Sequence, residues 1–124
     1  MLKIEKTDTE QGRSIIKVVG GFNFLNIGLL IAPLEDCVEF LENDQSLKEL
    51  ELYFYFTHLD ARGVRVLVDY LDELSINPVA YGRTLNVKWT YDWFDDEMKE
   101  LAIFLQEYSE LNITLKEIPQ LQAV

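Results

Sequence analysis

Apolar and polar positions alternate strictly through "ELELYFYFT", residues 49 to 57. Leu50, Leu52, Phe54 and Phe56 fall on one side of an extended chain, and Glu51, Tyr53, Tyr55 and Thr57 on the other. "TLNVKWTY" repeats the pattern, with Leu85, Val87 and Trp89 against Asn86, Lys88 and Thr90. "NITLKEI" gives a last strand stopped by Pro119, and residues 118–124 form a tail expected to fray. At the start, "LKIEKT" and "RSIIKVVG" are short β-like runs around Gln11-Gly12, which reads as a hairpin turn; Gly20-Gly21 ends the second run.

The segments between the later strands change period. After Asn26, the residues Ile27, Leu30, Ile31, Leu34, Val38 and Leu41 recur at helical spacing up to "ENDQS", with Pro33 inside the pattern as a kink or as the helix start. Val64, Leu67, Val68, Leu71 and Leu74 make one apolar stripe, followed by "SINPVAYGR", whose Asn77-Pro78 and Tyr81-Gly82 predict a loop. "DWFDDEMKELAIFLQEY" predicts a third helix with Phe94, Met98, Leu101, Leu105 and Tyr108 on its stripe.

This order predicts an α/β protein. A single mixed β-sheet of about five strands opens with a hairpin and continues as βαβαβαβ, largely parallel. A parallel sheet covered on both sides reads as continuous apolar runs. These strands each keep a polar or mixed face, so the helices are expected mainly on one face, leaving the other partly open.

The 124 residues fit one domain, 1–124, long enough to bury a core without metal or disulfide. A composition 48% apolar and 12% aromatic suits a packed globule. The one cysteine, Cys37, has no internal partner and reads as a buried reduced thiol. With no signal-like opening and no apolar run of spanning length, the expected location is cytoplasmic, without membrane insertion. A net charge of -11 argues against nucleic acid, whose phosphates are neutralised by Lys and Arg.

Catalytic constellations are sparse. His58 is the one histidine, at a strand end, where a structural role outweighs that of a base. Asp92, Asp95, Asp96 and Glu97 offer oxygen ligands to a hard cation, but carboxylates in a first helical turn more simply meet free N–H groups and the helix dipole. No metal and no cofactor are expected. Tyr53 and Tyr55 on an open sheet face suggest a protein-contact surface rather than base stacking, given the charge.

The stretch "FYFTHLDARGVRVLVDYLDEL" carries the most specific signal: strand, then Asp60-Ala61-Arg62-Gly63, then helix. Strand, Asp-x-x-Gly and a leucine-like helix together resemble the regulatory corner of STAS domains, the anti-anti-sigma fold. Three stretches are similar to the SiaC-type regulatory phosphoproteins, which have a related fold. "GGFNFLNIGLLIAPLEDCVEFLE" resembles their Gly…Asn…Pro-Leu helix start, "LELYFYFTHLDARGVRVLVDYLDEL" their strand and "YFNTSSSK-x-LLDLL" corner, and "LNVKWTYDWFDDEMKELAIFLQEYSELNITLKEI" their "V-x-W-x-YD", acidic helix and final strand. The resemblance spans about Gly20 to Ile118, and the third stretch is the most specific.

That resemblance implies a STAS-like partner switch without catalysis of its own. A dedicated kinase phosphorylates the corner, a PP2C-type phosphatase reverses it, and the unphosphorylated form binds and activates a diguanylate cyclase. A phosphate adds about -1.5 to -2 charges, enough to make or break docking. This sequence departs from the pattern at the acceptor. The family register puts Arg65 on the family's Lys, Asp60 on its Asn and Ala61 on its phospho-acceptor Thr; a STAS register puts Arg62 on the phospho-serine. Neither side chain takes a phosphate, and Thr57 is the nearest hydroxyl substitute.

Read bottom-up, Asp60 caps the helix and Gly63 allows close packing. Arg62 and Arg65 stand against the helix dipole, which suggests a use outside the fold or a surface pair with Asp60 or Asp69. The leading reading is a non-enzymatic signalling protein binding a protein partner through Asp60, Arg62, Gly63 and Arg65. The alternative is an assembly subunit that forms a homo-oligomer through the open face carrying Tyr53 and Tyr55. An enzyme or metal protein comes third.

Overall fold

The computed structural model describes residues 3–8, 13–23, 25–26, 28–29, 31–32, 34–36, 39, 49–81, 84–108 and 111–120. Strand β1 (Lys3–Asp8) pairs antiparallel with β2 (Arg13–Phe22), Lys3 opposite Val19 and Asp8 opposite Ser14. Helix α1 follows and is described at Gly28, Leu29, Ile31, Ala32, Leu34, Glu35, Asp36 and Glu39. Then come β3 (Glu49–Leu59), α2 (Ala61–Tyr81), β4 (Thr84–Asp92), α3 (Asp96–Tyr108) and β5 (Asn112–Ile118). The strands stand in sequential order β1-β2-β3-β4-β5, with β2 to β5 parallel.

Register explains the core. Ile16, Leu52, Val87 and Ile113 lie side by side, and Val18, Phe54, Trp89 and Leu115 form the next row. Because side chains alternate along a strand, both rows project from one face. Leu34 of α1, Leu67 and Leu71 of α2, and Met98, Ala102 and Leu105 of α3 join the same buried cluster. All three helices therefore cover that face, as the one-sided alternation predicts. Each parallel connection crosses with the same hand, so each helix lands on the same side. Burying one such leucine or phenylalanine is worth about 1.5–3 kcal/mol.

At the far end of the sheet, Phe22, Phe54, Phe56 and Trp89 form an aromatic knot. Phe54 stacks on Phe56 at 5.3 Å, while Phe22 meets Phe56 edge-on at 5.6 Å and Trp89 meets it at 5.2 Å. Edge-to-face and offset pairs of this kind add to plain burial.

The structure departs from the sequence reading in four places. Strand β2 does not end at Gly20-Gly21 but runs through both to Phe22, the glycines marking a bulge rather than a stop. Helix α2 does not stop before "SINPVAYGR" but runs 21 residues to Tyr81, through Asn77-Pro78. A proline removes one N–H from the ladder, and here the flanking backbone stays helical around it. Helix α3 starts at Asp96, so Phe94 lies before it and is 65% exposed; Tyr108 is 55% exposed, and Ala102 is buried instead. Glu51 and Thr90, on the polar sides of their strands, are buried. The expected Gln11-Gly12 turn, Pro33, Cys37, the Leu74 side chain and the last four residues lie outside what is described. Among the described residues no helix is long and apolar enough to cross a membrane.

Candidate functional site

The parallel strands end at one edge, where Asp60, Ala61, Arg62 and Gly63 follow β3; Tyr53 and Tyr55 lie further back, on the open face. Strand β3 reaches this edge through an irregularity. Gly20 faces Phe56 and Gly21 faces His58, so Thr57 has no opposite number in β2. Gly20 takes φ 133°, a region that L side chains rarely adopt. The bulge resets the alternation: Phe56 is buried, Thr57 and His58 are both exposed, and Leu59 turns into the core. The chain thereby reaches Asp60 oriented to begin a helix.

Asp60 is the N-cap. Its Oδ1 accepts from the Gly63 N–H at 2.9 Å, and its carbonyl takes the first helical bond, from the Val64 N–H, at 3.0 Å. Its own N–H donates to the Phe22 carbonyl at 3.3 Å, tying the corner to the end of β2. Gly63 is buried, and a Cβ there would stand 2.6 Å from Leu59 Cδ1, so any larger residue must push that side chain aside. Ala61, Arg62 and Arg65 are exposed on the first turns. Helix α2 has no acidic residue in its first turn, and among the described residues neither arginine forms an ion pair, with Asp60 or Asp69 or any other.

Loops on either side flank the corner. After β2, Asn23 Oδ1 accepts from the Leu25 N–H at 2.9 Å, and Asn26 Oδ1 accepts from the Asn23 N–H at 2.8 Å. Asn26 Nδ2 donates back to the Gly21 carbonyl at 3.2 Å. These side-chain bonds build a tight turn and leave Leu25 79% exposed. After β4, the Trp93 N–H donates to the Ile118 carbonyl at 3.0 Å. Trp93 and Phe94 pack edge-on at 5.6 Å, both exposed. Sequence reasoning assigned Phe94 to the core stripe and gave Trp93 no role. The cap at Asp95 was the available signal: its Oδ1 accepts from the Met98 N–H at 3.2 Å, which starts α3 after both aromatics.

The acidic run holds no metal-like cluster. Asp95 is used as a cap, and Asp92 Oδ1 accepts from the Tyr55 hydroxyl at 2.6 Å. That bond, with burial, pushes the Tyr55 phenol up to about 12. Among the described residues no group of His, Cys, Asp and Glu is arranged to hold a metal ion. His58 is exposed and far in sequence from Cys37.

The open sheet face is more organised than its polar pattern suggested. Glu51 accepts from Arg13 Nη2 and from Lys88 Nζ, each at 2.6 Å. The Lys88 ammonium, with Arg13 behind it, holds the Glu51 carboxyl below its ordinary value despite burial. Thr90 Oγ1 donates to the Tyr53 hydroxyl at 2.9 Å, and Lys17 Nζ sits 5.7 Å over the Tyr53 ring. Tyr53 and Tyr55 are half-buried and already bonded, rather than bare platforms.

A family model described as SiaC family regulatory phosphoprotein matches residues 31–118. One similar solved chain comes from the crystal structure of the diguanylate cyclase SiaD in complex with its activator SiaC from Pseudomonas aeruginosa. It has TM-score 0.75 and 25% identity, over 95% of this chain and 93% of that one. SiaC of Pseudomonas aeruginosa in another structure has TM-score 0.70 at 20% identity, over 94% and 99% of the two chains. Apo-SiaC has TM-score 0.66 at 21%, over 92% and 98%; these last two likenesses show the shared fold. No curated protein matches the sequence.

Proposed function

The chain belongs to the SiaC family of regulatory phosphoproteins, and from that premise we propose that it activates or holds a diguanylate cyclase by docking through the β3–α2 corner. In this reading it acts in the cytoplasm and catalyses nothing itself. A similar chain is seen in complex with the cyclase SiaD. What supports the corner is its construction: Asp60 locks the turn, while Arg62 and Arg65 stand exposed against the helix dipole, unpaired among the described residues. Cations near a helix N-terminus cost a few tenths to about 1 kcal/mol, so the fold alone gives no reason to keep them. The exposed Trp93–Phe94 pair and Leu25 at the same edge supply the apolar contact that arginine-centred interfaces use.

The corner has no hydroxyl at 61 or 62, so docking there is not gated by phosphate on those residues. We assign any phosphate control to Thr57, the exposed bulge residue in β3 shortly before the cap. Phosphopeptide mapping of protein from its native host tests this; stoichiometric phosphate on Ser75 instead would remove Thr57.

The docking reading is tested by affinity capture from native cells with wild type and Arg62→Glu side by side. The expected result is a diguanylate cyclase in the wild-type capture, strongly reduced in the variant, with thermal stability nearly unchanged. Equal capture by both would exclude the corner as the interface.

A further inference from the structure

We infer that the open face of the sheet is a second docking surface, separate from the corner, for an acidic segment of a protein partner. Lys17, Tyr53 and Lys88 stand side by side across β2, β3 and β4, and Lys116 of β5 lies beside Thr90 one row along. The three lysines rim a shallow concavity of about 490 Å³, with Tyr53, Thr90 and Thr114 between them. One carboxylate, Glu51, lines it against three ammonium groups. The chain as a whole has 22 acidic and 11 basic residues, so this ratio reverses its average. Glu51 is moreover already claimed by both Arg13 and Lys88. Lys17 and Lys116 form no ion pair among the described residues, although exposed Glu5 lies opposite Lys17 in the register.

The alternatives to an acidic protein segment are weaker. Exposed ion pairs contribute little, so two surface lysines alone hold a small anion only weakly. A protein segment adds apolar area and excludes water over a face five strands wide. A second copy docked face to face about a two-fold axis would set these lysines against their own counterparts. Nucleic acid meets the repulsion of a chain of net charge -11.

The test is a titration of the full isotope-labelled chain, read from backbone amide signals, with a short oligoglutamate peptide, oligothymidylate and inorganic phosphate. Saturable shifts at Lys17, Tyr53, Lys88 and Lys116 are expected with the peptide. They should weaken several-fold in added salt and in Lys17→Glu/Lys116→Glu, and persist in Arg62→Glu. The neutral pair Lys17→Gln/Lys116→Gln, checked for native signal dispersion, guards against a folding defect in the charge-reversed form. Absent shifts, shifts confined to Arg62 and Arg65, or shifts unchanged in both double variants would overturn the proposal. So would phosphate or oligothymidylate binding as tightly as the peptide, or a wild-type dimer that the double variants lose.

Discussion

Replacing Glu51 by Gln keeps the side chain's size and removes its charge from the centre of the open face. The carboxylate is only 7% exposed and holds two cations at 2.6 Å, while Arg13 and Lys88 are 40% and 52% exposed. Hydrogen bonds to charged groups are worth about 1.5–3 kcal/mol each when buried. Because both cations can regain water, roughly half of that is lost to solvent screening, which leaves a net cost of about 2 kcal/mol. For a chain of this length each kcal/mol shifts Tm by about 3–5 °C, so the variant should melt roughly 6–10 °C lower near neutral pH. The pH dependence is more diagnostic. Glu51 has its folded pKa lowered from 4.5. Its contribution is therefore complete above the unfolded value and is lost as pH falls through the folded one. Calorimetry should show a steady deficit at neutral and mildly acidic pH that closes in stronger acid. No deficit at neutral pH would mean that desolvation cancels the attraction. A deficit that survives acid undiminished would make it a matter of shape rather than charge.

Asp60→Ala should cost about 0.5–2 kcal/mol in denaturant unfolding, because the Gly63 N–H loses its acceptor, and Asp60→Asn should recover most of it. Gly63→Ala gains about 1 kcal/mol of helix propensity but drives Leu59 aside; a net loss of about 1 kcal/mol is expected, and a gain would show that Leu59 yields freely. Tyr55, raised to about 12, stabilises the fold while it stays protonated; wild type should lose stability more steeply than Tyr55→Phe as pH rises from about 10 to about 12, and equal slopes would count against the Asp92 bond. Joint Trp93→Ala and Phe94→Ala should leave stability within about 0.5 kcal/mol yet weaken partner capture about tenfold or more; unchanged capture removes the pair from the interface.

The strands were legible because burial is decided every second residue, and "ELELYFYFT" and "TLNVKWTY" record that decision without interruption. The end of α2 was not legible. Asn77-Pro78 has the composition of a turn, and only the surrounding fold decides whether a missing N–H ends a helix. Phe94 follows the helical period by coincidence of spacing, while the cap one residue on excludes it. At the corner, Asp60 and Gly63 announced the cap and the close packing. The bulge at Thr57 showed only through its partner strand: Gly20-Gly21, read as a strand end, is where the register shifts, while β3 itself gains a residue without any change in composition. The burial of Glu51 was also hidden: it depends on Arg13 and Lys88 arriving from two other strands.

The strand order β1-β2-β3-β4-β5 carries a last consequence. Open α/β sheets form their ligand crevice where the winding reverses, since adjacent connections then leave on opposite sides and a gap opens between them. Here the parallel strands advance in one direction from β2 to β5 and never turn back. The connections leave as neighbours on one side of the sheet, so no reversal of winding separates them. A chain wound this way offers ridges, a helix start and a broad flank, the relief against which another macromolecule can be laid.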